Sequence, residues 1–388
     1  MRVFRSLLAA SVVAALSSSA ALAVDPAPLL KTLQAVGPKG AGNRDATAAW
    51  QTLAGAEVSQ LPTILAGLDA AGPLAANWIR TAVDTIAERE VRAGRTLPAD
   101  ALEQFVLDRN HAPQGRRLAY EWLRRVDRTA PGRLIPGMLD DPSLEMRRDA
   151  VARLIDRAET LAAAEKTAEA TPVYETAMAA ARDIDQIKML ADRLKKLERP
   201  VDLPRHFGFL MTWKAVGPFD NMDEKGFDRV YPPEETLDTE ASYQGKHGQL
   251  KWVDHVTTHP YGSVDLNKIL GEEKGVAAYA TTDFISPTRQ EVQFRATSFA
   301  AVKLWLNGRL IDQHNIYHGG SSLDQYVCTG VLQPGRNVIL IKVCQNEQTQ
   351  SWAKVWSFQL RVCDVAGTAI LSTDRNNATN SPTLESNR

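Results

Sequence analysis

The chain has 388 residues but only three cysteines, Cys328, Cys344 and Cys363, all near its C-terminal end. No Cys-x-x-Cys pair exists, so a dithiol redox motif and a cysteine zinc knuckle are excluded. An odd number leaves at least one thiol unpaired, and on consecutive antiparallel strands simple registers oppose no two of them. The expectation is buried thiols acting as small hydrophobes. Charge of one sign is also lacking: 45 basic residues face 46 acidic ones, for a net charge of −1. Such a balance gives no electrostatic drive toward nucleic acid or an anionic membrane. There is no nucleophile elbow, no His-Glu-x-x-His, no phosphate-binding loop and no dinucleotide fingerprint. Glu234 and Glu235 are sequence neighbours that point apart and cannot flank one glycosidic bond.

Long hydrophobic runs are scarce too. The exception is Leu7 to Leu16, preceded by Arg2 and Arg5 and followed by Ala21-Leu22-Ala23. It has the three parts of a secretory signal peptide over residues 1–23, with cleavage expected before Val24. The run is too short to cross the roughly 30 Å hydrocarbon layer of a bilayer. The chain is therefore expected to be exported, to the periplasm or beyond, with no membrane insertion after cleavage.

What is plentiful changes along the chain. Residues 45–200 are rich in Ala, Leu, Arg and Glu at helical spacing. Segments starting at Leu61, Leu97 and Leu134, 36 and 37 residues apart, share a Leu-Pro or Leu-Ile-Pro start, a short apolar helix, a polar turn and a longer amphipathic helix. Their core stripes read Trp78, Val83, Ile86; Leu118, Trp122, Val126; and Val151, Leu154, Ile155. A fourth hairpin is expected over Leu161 to Ala181 and Ile184 to Leu197. A pair with this period cannot bury its apolar face alone, so stacking must make the core. With Asp140-Asp141-Pro142-Ser143 and Arg147-Arg148-Asp149-Ala150-Val151, the stretch resembles HEAT repeats, which implies a protein partner. The fourth pair, with Tyr174, Ala177 and Ala181, is more similar to a tetratricopeptide pair.

After Pro200 and Pro204 the period becomes two. Alternating runs occur at Ala278 to Ile285, Glu291 to Ala296, Val302 to Leu306, Leu310 to His314, Gln325 to Thr329, Asn337 to Cys344 and Lys354 to Val362. Asn307-Gly308 between two of them is a type I′ hairpin signal, because both turn residues need positive φ. The expected fold class is multidomain, α then β: an α-solenoid of helical pairs followed by an antiparallel β-sandwich of jelly-roll type. The blocks Trp305-x-Asn307-Gly308, Gly335-x-Asn337 and Ile341-Lys342-Val343 resemble the galactose-binding-like jelly roll of β-galactosidase and β-glucuronidase relatives. Trp213-x-x-x-Gly217-Pro218-Phe219 resembles the segment preceding such jelly rolls in large exported bacterial proteins. In that family these positions are scaffold, and the expectation is a jelly roll without a catalytic barrel. The resemblance implies a fold and a binding role, with no inherited glycosidase activity.

The expected organisation is a signal peptide at 1–23, HEAT-like repeats at 24–160, a further helical hairpin and linker at 161–205, the sandwich at 206–364 and a disordered tail at 365–388. Sugar sites combine an aromatic platform with carboxylate, amide or His groups. Asn315, Tyr317, His318, Asp324 and Trp352 fit that composition. Trp305 and Trp356, inside strand patterns, are expected in the core. Asp220, Asn221, Asp223 and Asp228 crowd oxygen donors into one loop, which reads as a solvated acidic loop, with a calcium site as the alternative. His255/His259 and His314/His318 share an i,i+4 spacing, but on strand or loop patterns that do not aim both rings at one metal. These features point to an exported, non-catalytic adaptor that binds a protein through its helices and a neutral glycan through its jelly roll. The alternatives are a scaffold without sugar binding and a hydrolase with a site between the halves.

Overall fold

The structure, a computed structural model of the chain, describes residues 24–378. The expected signal peptide lies outside the described residues. Two compact units divide at Met146/Arg147.

The first unit is helical: Pro26–Gln34, Asn43–Leu53, Leu61–Ala66, Pro73–Arg92, Ala99–Leu107, Pro113–Val126 and Ala130–Leu134. Proline stands at the start of several of these, where its missing N–H costs nothing. The third expected segment begins earlier than Leu134, because Pro131 opens a helix at Ala130. The expected stripes are largely buried, including Val83, Ile86, Leu118, Trp122, Val151 and Ile155. Val126 is 40% exposed, since its helix ends there. Arg116 and Asp141 are fully buried and joined by two parallel hydrogen bonds, Nη1 to Oδ1 at 2.9 Å and Nη2 to Oδ2 at 2.8 Å. Arg116 Nε donates to the Val106 carbonyl and Asp141 accepts from Ser143 N, so the buried charges are met on all sides. The Asp-Asp-Pro-Ser motif is thus an anchor for the preceding helix. No helix among the described residues is long and apolar enough to cross a membrane.

The second unit keeps helical residues that the sequence reading assigns to the other half. Helices Thr167–Ala180 and Ile184–Lys196 are bound together by Glu159, which accepts from Arg193 and from Tyr174. The hairpin also reaches segments flanking the strands: Arg182, between the two helices, donates to Thr368 Oγ1 at 3.2 Å, and Lys188 lies 5.6 Å from the Tyr261 ring. These helices share one compact unit with the sheets.

The strands are β1 Thr212–Asp220, β2 Tyr243–Gln244, β3 Gln249–Leu250, β4 Val253–Val256, β5 Val264–Asp265, β6 Val276–Ser286, β7 Gln290–Ser298, β8 Ala301–Leu306, β9 Arg309–His314, β10 Tyr326–Leu332, β11 Gly335–Gln345 and β12 Ser357–Cys363. One sheet has the order β4-β1-β6-β11-β8-β9, a second β10-β7-β12-β5, and their pairings are antiparallel. The first core lies between them, where Ala278, Ile341 and Val343 meet Phe294, Leu360 and Val362, with Trp356 among them. A second core covers the outer face of the six-stranded sheet: Val216, Tyr279, Trp305 and Cys344 pack under Phe219, Phe227, Tyr231 and Tyr243. That layer explains why β6 and β11 are apolar on both faces.

The Asn307-Gly308 turn has φ of 51° and 77° at its two residues, as the type I′ reading requires. The three thiols are free. Burial pushes Cys328 and Cys344 up to about 12, so neither is a thiolate near neutrality. The tail expected to be disordered from 365 is partly structured. Ile370 N donates to the Val362 carbonyl, Ser372 Oγ accepts from Ile285 N, and Arg375 donates to the Phe209 carbonyl. Backbone groups at the open side of β6 need partners, and this polar segment supplies them.

Candidate functional site

β1, β6, β11, β8 and β9 bring three loops to one end of the six-stranded sheet. Asp220 at the end of β1 registers with Val276 of β6, which registers with Gln345 of β11. Cys344 registers with Ala301 of β8, and Val302 with His314 of β9. Loops 221–224, 315–320 and 346–354 therefore meet there.

The loops are tied through polar side chains. Asn221 is fully buried; its Nδ2 donates to the Gln345 carbonyl at 3.0 Å and to Tyr317 Oη at 3.2 Å. Asn221 N donates to the Gly275 carbonyl, and Gly275 N to the Asn346 carbonyl. Asn346 Oδ1 lies 3.0 Å from His318 Nε2, and Asn346 Nδ2 donates to Glu224 Oε1 at 3.1 Å. Glu347 Oε1 accepts from Asp223 N. The His318 ring meets the Trp352 indole edge-on, with centroids 4.9 Å apart. Trp352 is 55% exposed, whereas Trp305 and Trp356 are buried as their strand patterns require. Burial raises the Tyr317 phenol well above the usual tyrosine range, so it stays a neutral hydroxyl. The result is an aromatic plate in solvent, backed by an imidazole, two amides and two carboxylates.

Of the five expected sugar-contact residues, Tyr317, His318 and Trp352 come together here. Asn315 is exposed on the same loop. Asp324 does not join them. Its carboxylate accepts from Arg361 Nε at 2.7 Å and Nη2 at 2.5 Å, and from Arg295 Nη1 at 2.9 Å, on the four-stranded sheet. Burial alone would raise this carboxyl, but Arg361 first and then Arg295 outweigh it and hold it below the usual carboxylate range. Asp324 is a structural ion-pair residue, occupied by two guanidinium groups.

The acidic loop of Asp220, Asn221, Asp223 and Asp228 places its groups on partners within the protein. Asp223 pairs with Lys225 at 2.9 Å, Asp228 with Lys303 at 3.5 Å, and the Asn221 amide turns inward. No group of three His, Cys, Asp or Glu side chains among the described residues is placed to hold a metal ion. His314 stacks on Tyr326 and binds Asp312, away from the bond His318 makes to Asn346.

Sequence reasoning missed the partnership of Asn346, Glu224 and Glu347 with the aromatic residues, although the polar run after β11 marks the loop. It also missed Lys342, which is fully buried in the second core. Lys342 Nζ donates to Glu234 Oε1 at 2.7 Å and to the carbonyls of Arg229 at 2.7 Å and Phe227 at 3.1 Å; Tyr279 Oη also donates to Glu234. Burial lowers the lysine's pKa, but the full set of acceptors is that of a structural ammonium. A lysine at the centre of the apolar run Ile339 to Val343 was the available signal.

No family model matches the chain, and no curated protein does. Among solved structures, β-glucosidase from Kluyveromyces marxianus in complex with glucose is similar at 15% identity and a TM-score of 0.25, over 43% of this chain and 18% of that one. A β-glucuronidase of an uncultured Clostridium sp. is similar at 13% identity and a TM-score of 0.24, over 40% and 28% of the two chains. A family 35 carbohydrate binding module from Clostridium thermocellum is similar at 12% identity and a TM-score of 0.16, over 22% and 69%. The likeness is partial and distant, and the chain spans less than a third of either glycosidase.

Proposed function

We propose that the protein is an exported, non-catalytic carbohydrate-recognition protein: a jelly-roll sandwich meets a glycan at the loop end bearing Trp352, and HEAT-like helical pairs meet a protein partner. Export rests on the signal-peptide pattern of residues 1–23. The observation that carries the sugar reading is the exposed Trp352 indole held against His318, which is itself bonded to Asn346 and through it to Glu224. A tryptophan more than half in water, yet fixed by neighbours, offers a preorganised face to the C–H side of a sugar ring. Hydroxyl groups around that ring meet amide and carboxylate partners, each of which donates or accepts.

The test is a glycan array followed by calorimetry on the intact mature protein, with Trp352→Ala alongside. Binding to a saccharide that the variant loses supports the reading. Binding to no saccharide overturns it in favour of a scaffold, and cleavage of the bound glycan, read by chromatography, overturns the non-catalytic part.

A further inference from the structure

A recess lined by both apolar and charged side chains lies at the other end of the six-stranded sheet. Pairing of β1 with β6 stops at Lys214↔Thr281, while β6 runs on to Ser286 beside β11. The side that β1 leaves is taken by residues 370–375, through Ser372 and Arg375. Between β1 and that segment lies a cavity of about 500 Å³. This is inside the roughly 300–1,000 Å³ typical of small-molecule sites.

Its lining is unusual in charge. Three cations, Lys214, Arg336 and Arg375, and three carboxylates, Asp254, Asp283 and Asp374, border it. Lys214 pairs with Asp254 across β1 and β4 at 3.0 Å, and Arg336 with Asp283 across β11 and β6 at 2.8 Å. Asp374 caps Arg375 N, and Arg375 is turned to the Phe209 carbonyl. Two of the three couples are ion pairs and the six charges sum to zero, so a charged ligand gains little from the site as a whole. Each pair nevertheless sets a strong donor beside a strong acceptor. A vicinal diol matches that arrangement, since every hydroxyl both accepts and donates. Trp213 and Phe284 border the recess from below but are themselves buried in the core between the sheets, so the aliphatic parts of Leu210, Leu237 and Ile370 supply its apolar lining.

We infer that this cavity is a binding site for a neutral sugar of one or two units, separate from the Trp352 surface. The inference rests on the carbohydrate reading above and extends it to a glycan contact in two places.

The experiment is calorimetry of the intact protein with free glucose, galactose, xylose, cellobiose and lactose, and with glucuronate as the charged control. At least one neutral sugar binds; Asp254→Asn combined with Asp283→Asn weakens it about tenfold or more, as loss of charge-assisted hydrogen bonds does. Thr212→Trp, which fills the recess without touching the ion pairs, weakens it as well. Trp352→Ala leaves it unchanged, and raising the salt from about 0.05 to about 0.5 M changes it less than about twofold. Unchanged affinity in the double variant, with native melting behaviour, overturns the site, as does binding of glucuronate alone or of no free sugar. The Trp352 reading fails on a different result, polysaccharide binding that survives Trp352→Ala, so the two are separable.

Discussion

Asn307 Nδ2 donates to Asn337 Oδ1 at 2.9 Å, and that bond locks the β8–β9 turn onto the start of β11. Asn307 Oδ1 in turn accepts from Val338 N. Asn337 is fully buried; its Nδ2 serves the carbonyls of Gln333 and Gly335 and lies 3.3 Å from that of Phe284, while its Oδ1 also takes Gln333 N. The Asn-Gly and Gly-x-Asn elements, 30 residues apart, are therefore one device. Asn337→Ala orphans several buried backbone groups and lowers stability by about 2–4 kcal/mol. Asn307→Ala costs less, because its neighbour retains other partners. A double-mutant cycle in urea should give a coupling of about 1 kcal/mol, and strict additivity would refute the shared device.

The Arg116–Asp141 pair should behave as a buried ion pair. Removing one partner by Asp141→Ala leaves an unpaired guanidinium in the helical core and costs about 3–5 kcal/mol. Removing both by Arg116→Met with Asp141→Leu should recover much of that loss. Chemical denaturation monitored by circular dichroism measures it. A double variant as unstable as the single one would mean that shape, not charge, is what the site requires.

Much of the β half was readable because period and punctuation agreed. The seven alternating runs predict β6 to β12, and Asn307-Gly308 predicts the β8–β9 hairpin. The second core was hidden, because nothing in the strand pattern says that β6 and β11 are covered on both faces; only the aromatics Phe219, Phe227, Tyr231 and Tyr243 reveal it. At the loop end, composition grouped Tyr317, His318 and Trp352, which the fold places together, but could not separate them from Asp324. Sequence proximity placed Asp324 in the same loop, while Arg295 and Arg361, 29 and 37 residues away, claim its carboxylate. Ion pairs formed between distant strands leave no local trace.

Stability should fall in mild acid because of His206. Burial, and then the charge of Arg182, depress its pKa from the ordinary 6.5 to about 4. Between those values the unfolded chain binds a proton that the folded one refuses, so stability drops as pH falls from about 6.5 toward about 4 and is unaffected above. The carboxylates held near pKa 2, Asp127 and Asp185, act only lower, as pH falls below the ordinary carboxylate range. Thermal melts at steps from pH 7 to 4.5 should show a decline in the native protein that His206→Gln flattens. Equal declines in both would refute the assignment.

A chain cut after Asp364 should be less stable than one ending at Ala378. The cut removes the Ser372 partner of Ile285 N and the Arg375 donor to Phe209, and it opens the β1–β6 recess. With the Ile370 N to Val362 carbonyl bond, which the cut also removes, the three lost hydrogen bonds are worth about 3–6 kcal/mol together. Melting of the two chains compares them directly, and coincident transitions would mean that water replaces the segment without cost.

Trp352→Ala separates binding from folding at the loop end. The side chain is 55% exposed and outside both cores, so its removal should change stability by no more than about 0.5 kcal/mol. An aromatic that carries a ligand's contact face is worth about 2 kcal/mol or more, which is roughly thirtyfold in Kd. His318→Ala should weaken binding by less, since it removes the edge that holds the indole and leaves the indole itself in place. Asn346→Ala should fall between them, because it frees both His318 and Glu224. The ordering Trp352, Asn346, His318, measured by calorimetry on one saccharide, is specific to a platform held through that chain of contacts. An equal loss from all three would instead indicate that the loops simply come apart.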